Sequence, residues 1–229
     1  MVKMIKAVIF DIGDAMEPST AQEIEILKKI KKRFSLPENF VKVYMKEDRY
    51  HELHMCHAYG EPKIMKRTLK KLKVKKDYNK LSKIMNELYW KEEMNFYKTK
   101  RGKDLIKTFK FLKKNKYKVG ILSDNSNAAK KGYLEIYRKI DLPYDSFLSS
   151  EDIGAEKPNK KTFIASVKNL KVKPEEAVYV GNNLERDLAA KKYGLDFIWV
   201  YGYMDVKSNN YKGKKVRYIS INSIKKWLK

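Results

Sequence analysis

Four short polar stretches carry side chains capable of chemistry. Asp11 ends the apolar run IKAVIF (residues 5–10), which puts a carboxylate at the end of a buried segment. A carboxylate placed there serves as a nucleophile or a metal ligand, or only as a turn residue or helix cap. Ser123 follows a second apolar run, YKVGIL (117–122), and opens SDNSN, where a hydroxyl and backbone N–H groups can hold a phosphate. Its plainer role is to cap a helix beginning near Asn127. Lys157 is one lysine among 45, but it sits in GAEKPNKKTF, ahead of a proline and a helix start. Asp187 lies on an expected helix, six residues after Gly181. A mid-helix Asp is ordinarily solvated, and only the spacing from the Gly181–Asn183 turn sets this one apart.

The elements that must position these residues follow from periodicity. Residues 5–10 read as a buried parallel strand, followed by a polar turn with Gly13 and Pro18. From Ser19 to about Lys98 the pattern is helical. Thr20–Glu23 offers a capping box ahead of Ile24, Leu27, Ile30 and Phe34. Ser35 and Glu38 are placed to cap a second helix, with Pro37 in its first turn, running to about Ala58. After a break at Gly60 and Pro62, Met65, Thr68, Leu69 and Leu72 form one apolar stripe, and Leu81, Ile84, Met85 and Leu88 another. Beyond Lys98 helices alternate with strands at Tyr117–Leu122, Ser146–Leu148, Ala177–Val180, Phe197–Tyr201 and Val216–Ile219, with a helix over Leu184–Tyr193. Such alternation predicts an α/β fold, a Rossmann-like parallel sheet, with an inserted all-α helical domain. The core is expected over residues 1–15 and 98–229, and the insertion over 16–97. Ligands of open parallel sheets bind beyond the carboxyl ends of the strands, where strand order reverses. That rule selects Asp11, Gly13, Ser123–Asn125 and Gly181–Asn183.

Composition narrows the classes. The chain has 229 residues, with 52 Lys+Arg against 28 Asp+Glu, a formal charge of +24. Hydrophobic residues at 43% exclude disorder as the main state, and no apolar stretch reaches the ~18 residues of a membrane span. The run before Asp11 is too short for a signal peptide, and the single cysteine, Cys56, suits a reducing compartment, so a cytoplasmic protein is expected. Only seven of the basic residues are arginine, the side chain favoured for bidentate recognition of phosphates and bases. The charge therefore predicts attraction to anions in general. The Lys-rich stretch 63–83 carries an apolar stripe through its charges and reads as a solvated helix face. The Tyr/Lys-rich segment 201–218 has the composition of a nucleic-acid stacking surface, but a loop and final strand explain it as well.

Together, AVIFDIGDAM, GILSDNS, GAEKPNKKTF and VYVGNNLERDLAAKKYG resemble, in order and spacing, the four motifs of the haloacid dehalogenase (HAD) superfamily, whose helical cap belongs where the insertion lies. The resemblance implies that Asp11 is a nucleophile that takes a phosphoryl group. It places Ser123, Asp124 and Lys157 at the phosphate, with Lys157 also holding Asp11 as carboxylate. It places Asp11, the Gly13 carbonyl, Asn182 and Asp187 around Mg²⁺. Two anions approach one another only if cations offset their repulsion.

Three positions depart from the family pattern. Gly13 stands where an Asp usually acts as acid and base, Ala15 where Thr is usual, and Asn182 where the first acid of the last motif is usual. Losing a positioned acid costs about 10²–10⁴ in rate, least when the leaving group is already good. Asp14 is offset by one residue and is not expected to substitute. Asn182 offers an oxygen without charge, so weaker Mg²⁺ binding is expected. His51, His54 and His57 spread over about 120° of a helix beside Cys56 and read as rim or packing residues rather than a zinc site. The leading expectation is a Mg²⁺-dependent phosphatase of a small phosphorylated metabolite, monomeric or homodimeric. The alternatives are a C–halogen or C–P hydrolase of the same fold, and a binding protein that has lost the chemistry.

Overall fold

Strand β1 (Ala7–Phe10) is buried along its whole length, because the sheet is covered on both faces. Ala7 and Ile9 join the cluster that holds Phe163, Val167 and Tyr179, while Phe10 stacks on Phe109 with ring centroids 4.7 Å apart. Alternate residues of one strand thus build two cores. The computed structural model describes residues 4–54, 60–204 and 211–228. Its sheet adds β2 (Lys118–Ser123), β3 (Ser146–Ser149), β4 (Ala177–Gly181), β5 (Asp196–Val200) and β6 (Lys215–Val216). The order is β3-β2-β1-β4-β5-β6, and every pairing is parallel. The direction of chain progress reverses between β1 and β4, which opens a crevice at their carboxyl ends.

The chain divides into two compact units, one of Met1–Pro18 with Phe96–Lys229, the other of Ser19–Asn95. The second is helical, with α1 (Ser19–Arg33), α2 (Phe40–His54), α3 (Gly60–Lys71) and most of α4 (Tyr78–Lys98). Its core is Ile26, Leu27, Ile30, Leu36, Phe40, Tyr44, Met65 and their neighbours. Lys63, Lys66, Lys70, Lys71, Lys73, Lys75 and Lys76 are exposed, as a solvated face requires. His51 and His54 fall on α2 with side chains outside the description, and Cys56 and His57 lie outside the described residues.

The α/β unit continues with α5 (Lys100–Lys114), α6 (Asn127–Lys139), a short α7 (Ser150–Ile153), α8 (Lys160–Asn169) and α9 (Ile221–Lys225). Where the chain leaves this unit after Pro18 and re-enters at Phe96, the buried carboxylate of Glu17 accepts hydrogen bonds from Tyr97 (3.2 Å) and Tyr133 (2.8 Å).

Several local expectations are corrected. Ser35 does not cap α2. It takes φ +49° in the turn that ends α1, Leu36 N–H closes on Lys31 O, and α2 starts only at Phe40. The cap of α6 is Ser126, whose hydroxyl accepts from Ala129 N–H, and not Ser123. Residues 184–186 form a turn around Asn183, whose side-chain oxygen accepts from the N–H groups of Glu185 and Arg186, so only Asp187–Tyr193 is helical, and of the tighter 3-10 kind. Strand β6 is shorter than expected and ends at Val216.

Candidate active site

Asp11 leaves β1 with its N–H bound to Val180 O of the neighbouring strand (2.9 Å), and its Oδ1 accepts from Ile12 N–H (2.9 Å). The chain then turns sharply. Ala15 and Met16 N–H both reach Ile12 O, and Asp14 adopts φ +51°, a left-handed conformation that Asp tolerates better than most residues. Ser123 ends β2 next door, with its Oγ accepting from the Asn125 amide (2.7 Å). Asp187 enters from beyond β4. Gly181 permits this, since a Cβ there would lie 2.3 Å from Asp187 Oδ2.

Lys157, only 4% exposed, joins these elements. Its ammonium lies 2.8 Å from Asp11 Oδ2, 2.8 Å from Asp187 Oδ1 and 2.9 Å from Tyr179 Oη. Three donors thus meet three acceptors, the condition under which a buried cation is tolerated. Asp124 Oδ2 stands further off, at 3.7 Å. The second oxygen of Asp187 accepts from Asn183 N–H (2.9 Å).

Burial raises the Asp11 carboxyl, and the charges of Asp187 and Asp124 push the same way; against the pull of Lys157, it reaches about 7. Burial opposes the charge of Lys157, but Asp11 and Asp187 together outweigh it and move the ammonium well above its ordinary value. Tyr179 is also driven up, by burial and then by Asp11, so it remains a neutral phenol. At neutral pH the cluster therefore holds a full cation beside an Asp11 carboxyl close to its midpoint.

Of the residues selected from sequence, Asp11, Asp124, Lys157 and Asp187 come together in this one ion cluster. Ser123 is the neighbour of Asp124 at the end of β2. Asn182 lies beside the cluster, its backbone O accepting from Trp199 Nε1 (2.7 Å) and its amide nitrogen 3.5 Å from Met204 Sδ. Both oxygens of Asp124 are engaged by neighbouring groups, Oδ1 accepting from Lys157 N–H (3.0 Å) and Oδ2 from Arg186 Nη2 (2.7 Å). Tyr179 and Arg186 were not anticipated. Tyr179 sits mid-strand and reads as core, but Arg186 was legible in principle as one of seven arginines in a lysine-rich chain.

Among the described residues no three His, Cys, Asp or Glu side chains group as a ready-made metal cage. The cluster still fits a hard cation that keeps much of its own water, as Mg²⁺ does. Asp11, Asp124 and Asp187 share the Lys157 ammonium, Arg186 is shared between Asp124 and Glu156, and the Asp11 carboxyl is raised by burial first and by the neighbouring carboxylates after it.

Residues 38–200 match the family described as haloacid dehalogenase-like hydrolase. Glyceraldehyde 3-phosphate phosphatase of Methanopyrus kandleri is 29% identical over 214 residues, covering 90% of this chain and 89% of that protein. Two solved structures share the fold. A HAD phosphatase from Thermococcus onnurineus has a TM-score of 0.60 at 21% identity, covering 98% of each chain. The HAD-hydrolase YfnB from Bacillus subtilis, bound to magnesium, has a TM-score of 0.74 at 16% identity, covering 99% of each chain. With the family match spanning well over half its length, this chain belongs to the haloacid dehalogenase-like hydrolases.

Proposed function

We propose that the protein is a phosphatase of a small phosphorylated metabolite, with Asp11 as nucleophile. The observation that carries this reading is the 2.8 Å contact of Lys157 Nζ with Asp11 Oδ2, inside a crevice at the strand-order reversal. Asp11 Oδ2 attacks phosphorus, the bond from phosphorus to the leaving oxygen breaks, and that oxygen takes a proton from water, since Gly13 carries no acid. Water then attacks the aspartyl phosphate and releases phosphate. Lys157 offsets charge on both anions, and Ser123 holds a phosphoryl oxygen with its hydroxyl. The anionic Asp124 repels phosphate, so its contribution is confined to its main chain.

Asp11, the Gly13 carbonyl, the Asn182 amide oxygen and Asp187 are the residues that would hold Mg²⁺. When bound, that ion adds the positive charge that lets a carboxylate and a phosphate meet. The helical unit corresponds to the family's cap and supplies substrate choice. The name of the Methanopyrus kandleri relative makes glyceraldehyde 3-phosphate the first substrate to test.

The test is phosphate release from glyceraldehyde 3-phosphate and from an aryl phosphate, with Mg²⁺ and with EDTA. Asp11→Asn is expected to lower it by at least about 10³-fold with the fold retained. Absence of release across a phosphoester panel removes the reading. Halide release from a 2-haloacid in EDTA would instead favour carbon–halogen chemistry, which the uncharged Asn182 suits.

A further inference from the structure

We propose that Arg186 is a positioning residue that keeps Lys157 on Asp11 by holding a competing carboxylate away from it. This rests on the phosphatase reading for its kinetic test, but not for its structural one. Three carboxylates surround the Lys157 ammonium at unequal distances, Asp11 and Asp187 at 2.8 Å and Asp124 at 3.7 Å. The odd one out is the one bound elsewhere, since Arg186 Nη2 lies 2.7 Å from Asp124 Oδ2.

Arg186 acts at a second point. Its Nε donates to Lys157 O (3.1 Å), while Lys157 N–H donates to Asp124 Oδ1 (3.0 Å). A closed ring therefore runs from Asp124 through the Lys157 backbone to Arg186 and back to Asp124. It fixes both ends of the lysine's reach, the main chain by two hydrogen bonds and the ammonium by withdrawing its third acidic partner. The planar guanidinium suits this task because its Nε and Nη2 donors point to different acceptors from one rigid group.

Without Arg186, Asp124 Oδ2 loses its guanidinium in a poorly hydrated place, and the nearest cation is Lys157. The ammonium then divides itself among three carboxylates, and Asp11 is less compensated when phosphate arrives. A displacement of about 1 Å at such a group lowers turnover by up to about 100-fold.

The experiment compares Arg186→Gln, Asp124→Asn and the double variant for kcat, KM and Tm on an aryl phosphate. Asn at 124 keeps the oxygen that accepts from Lys157 N–H and removes the competing charge. Arg186→Gln is expected to lower kcat by about 10- to 100-fold. The double variant is expected to recover a substantial part of that loss, although it lacks more native contacts. Lack of recovery at a Tm equal to or above that of Arg186→Gln overturns the proposal, as does unchanged kcat in Arg186→Gln. A crystal structure of Arg186→Gln supplies a readout that needs no turnover. Lys157 Nζ within hydrogen-bonding distance of Asp124 Oδ2 supports the proposal, and an unchanged separation overturns it. If the wild type releases no phosphate while the lysine moves as described, the phosphatase reading fails and this one stands.

Discussion

The two compact units treat cations in opposite ways. In the helical unit the core is aliphatic and aromatic, and among its described residues no lysine or arginine is buried. Glu47 is 5% exposed, yet its partner Lys71 comes in from the surface with a side chain 58% exposed. In the α/β unit Lys157 lies in the interior, between carboxylates that are themselves buried. A surface pair contributes little and tolerates replacement, whereas a buried cation stays only where its partners are fixed. The helical unit thus rests mainly on apolar burial, and the charged side chains it does bury among its described residues, Glu47 and Glu93, are acidic. The α/β unit keeps a cation and its carboxylate partners in its interior.

Lys157→Met strikes the contrast hardest. Phosphate release should fall by at least about 10³-fold, and at pH 8 the variant should lose about 3–5 kcal/mol of stability through stranded carboxylates. At pH 5 the loss should be smaller, because the Asp11 carboxyl, raised to about 7 chiefly by burial, is then largely protonated. Urea unfolding at both pH values checks this, and an equal loss at both would deny that charge is the cause. Phe40→Ala tests the other side. Phe40 is fully buried, so truncation should cost about 3 kcal/mol, with faster hydrogen exchange confined to residues 19–95. A pH-independent loss there sharpens the difference between the units.

The smallest effect is expected at Asp145. Burial tends to raise its carboxyl, but Lys113 and the Val119 N–H outweigh burial and hold it below the ordinary range. A lowered folded-state value means stability that is present above the unfolded value of about 3.9 and lost as pH falls through the folded one. Between pH 5 and pH 2 the wild type should therefore lose more stability than Asp145→Asn, by less than about 1 kcal/mol because water screens the pair. Parallel melting curves would place the pair with the exposed ones.

The sheet was readable because its strands are covered on both faces and so appear as unbroken apolar runs, each ending at a polar residue. Asp11 and Ser123 were found at those ends, and Asp187 by its spacing from Gly181. The partners that make Lys157 unusual were not readable. Tyr179 alternates correctly within a core strand, and the ring through Asp124 and Arg186 joins residues 33 and 62 positions apart in sequence. Helix boundaries were obscured for another reason. The left-handed residues at the ends of α1, α3, α5 and α8 are Ser35, Lys73, Lys116 and Lys171, where glycine would have announced a stop. The helix expected from Leu184 begins only at Asp187, because the turn before it is stabilised by Asn183, a local side-chain bond that periodicity does not reveal.

The bond between Glu17 and Tyr97 has an architectural consequence. The chain departs after Pro18 and comes back at Phe96, and these two passages are pinned to one carboxylate, which Tyr133 anchors to α6. With exit and entry already fastened side by side, the segment between them does not have to bring the two passages together. Residues 19–95 are in effect a cassette, open to exchange for a different helical module or a short linker while the strand order is left untouched.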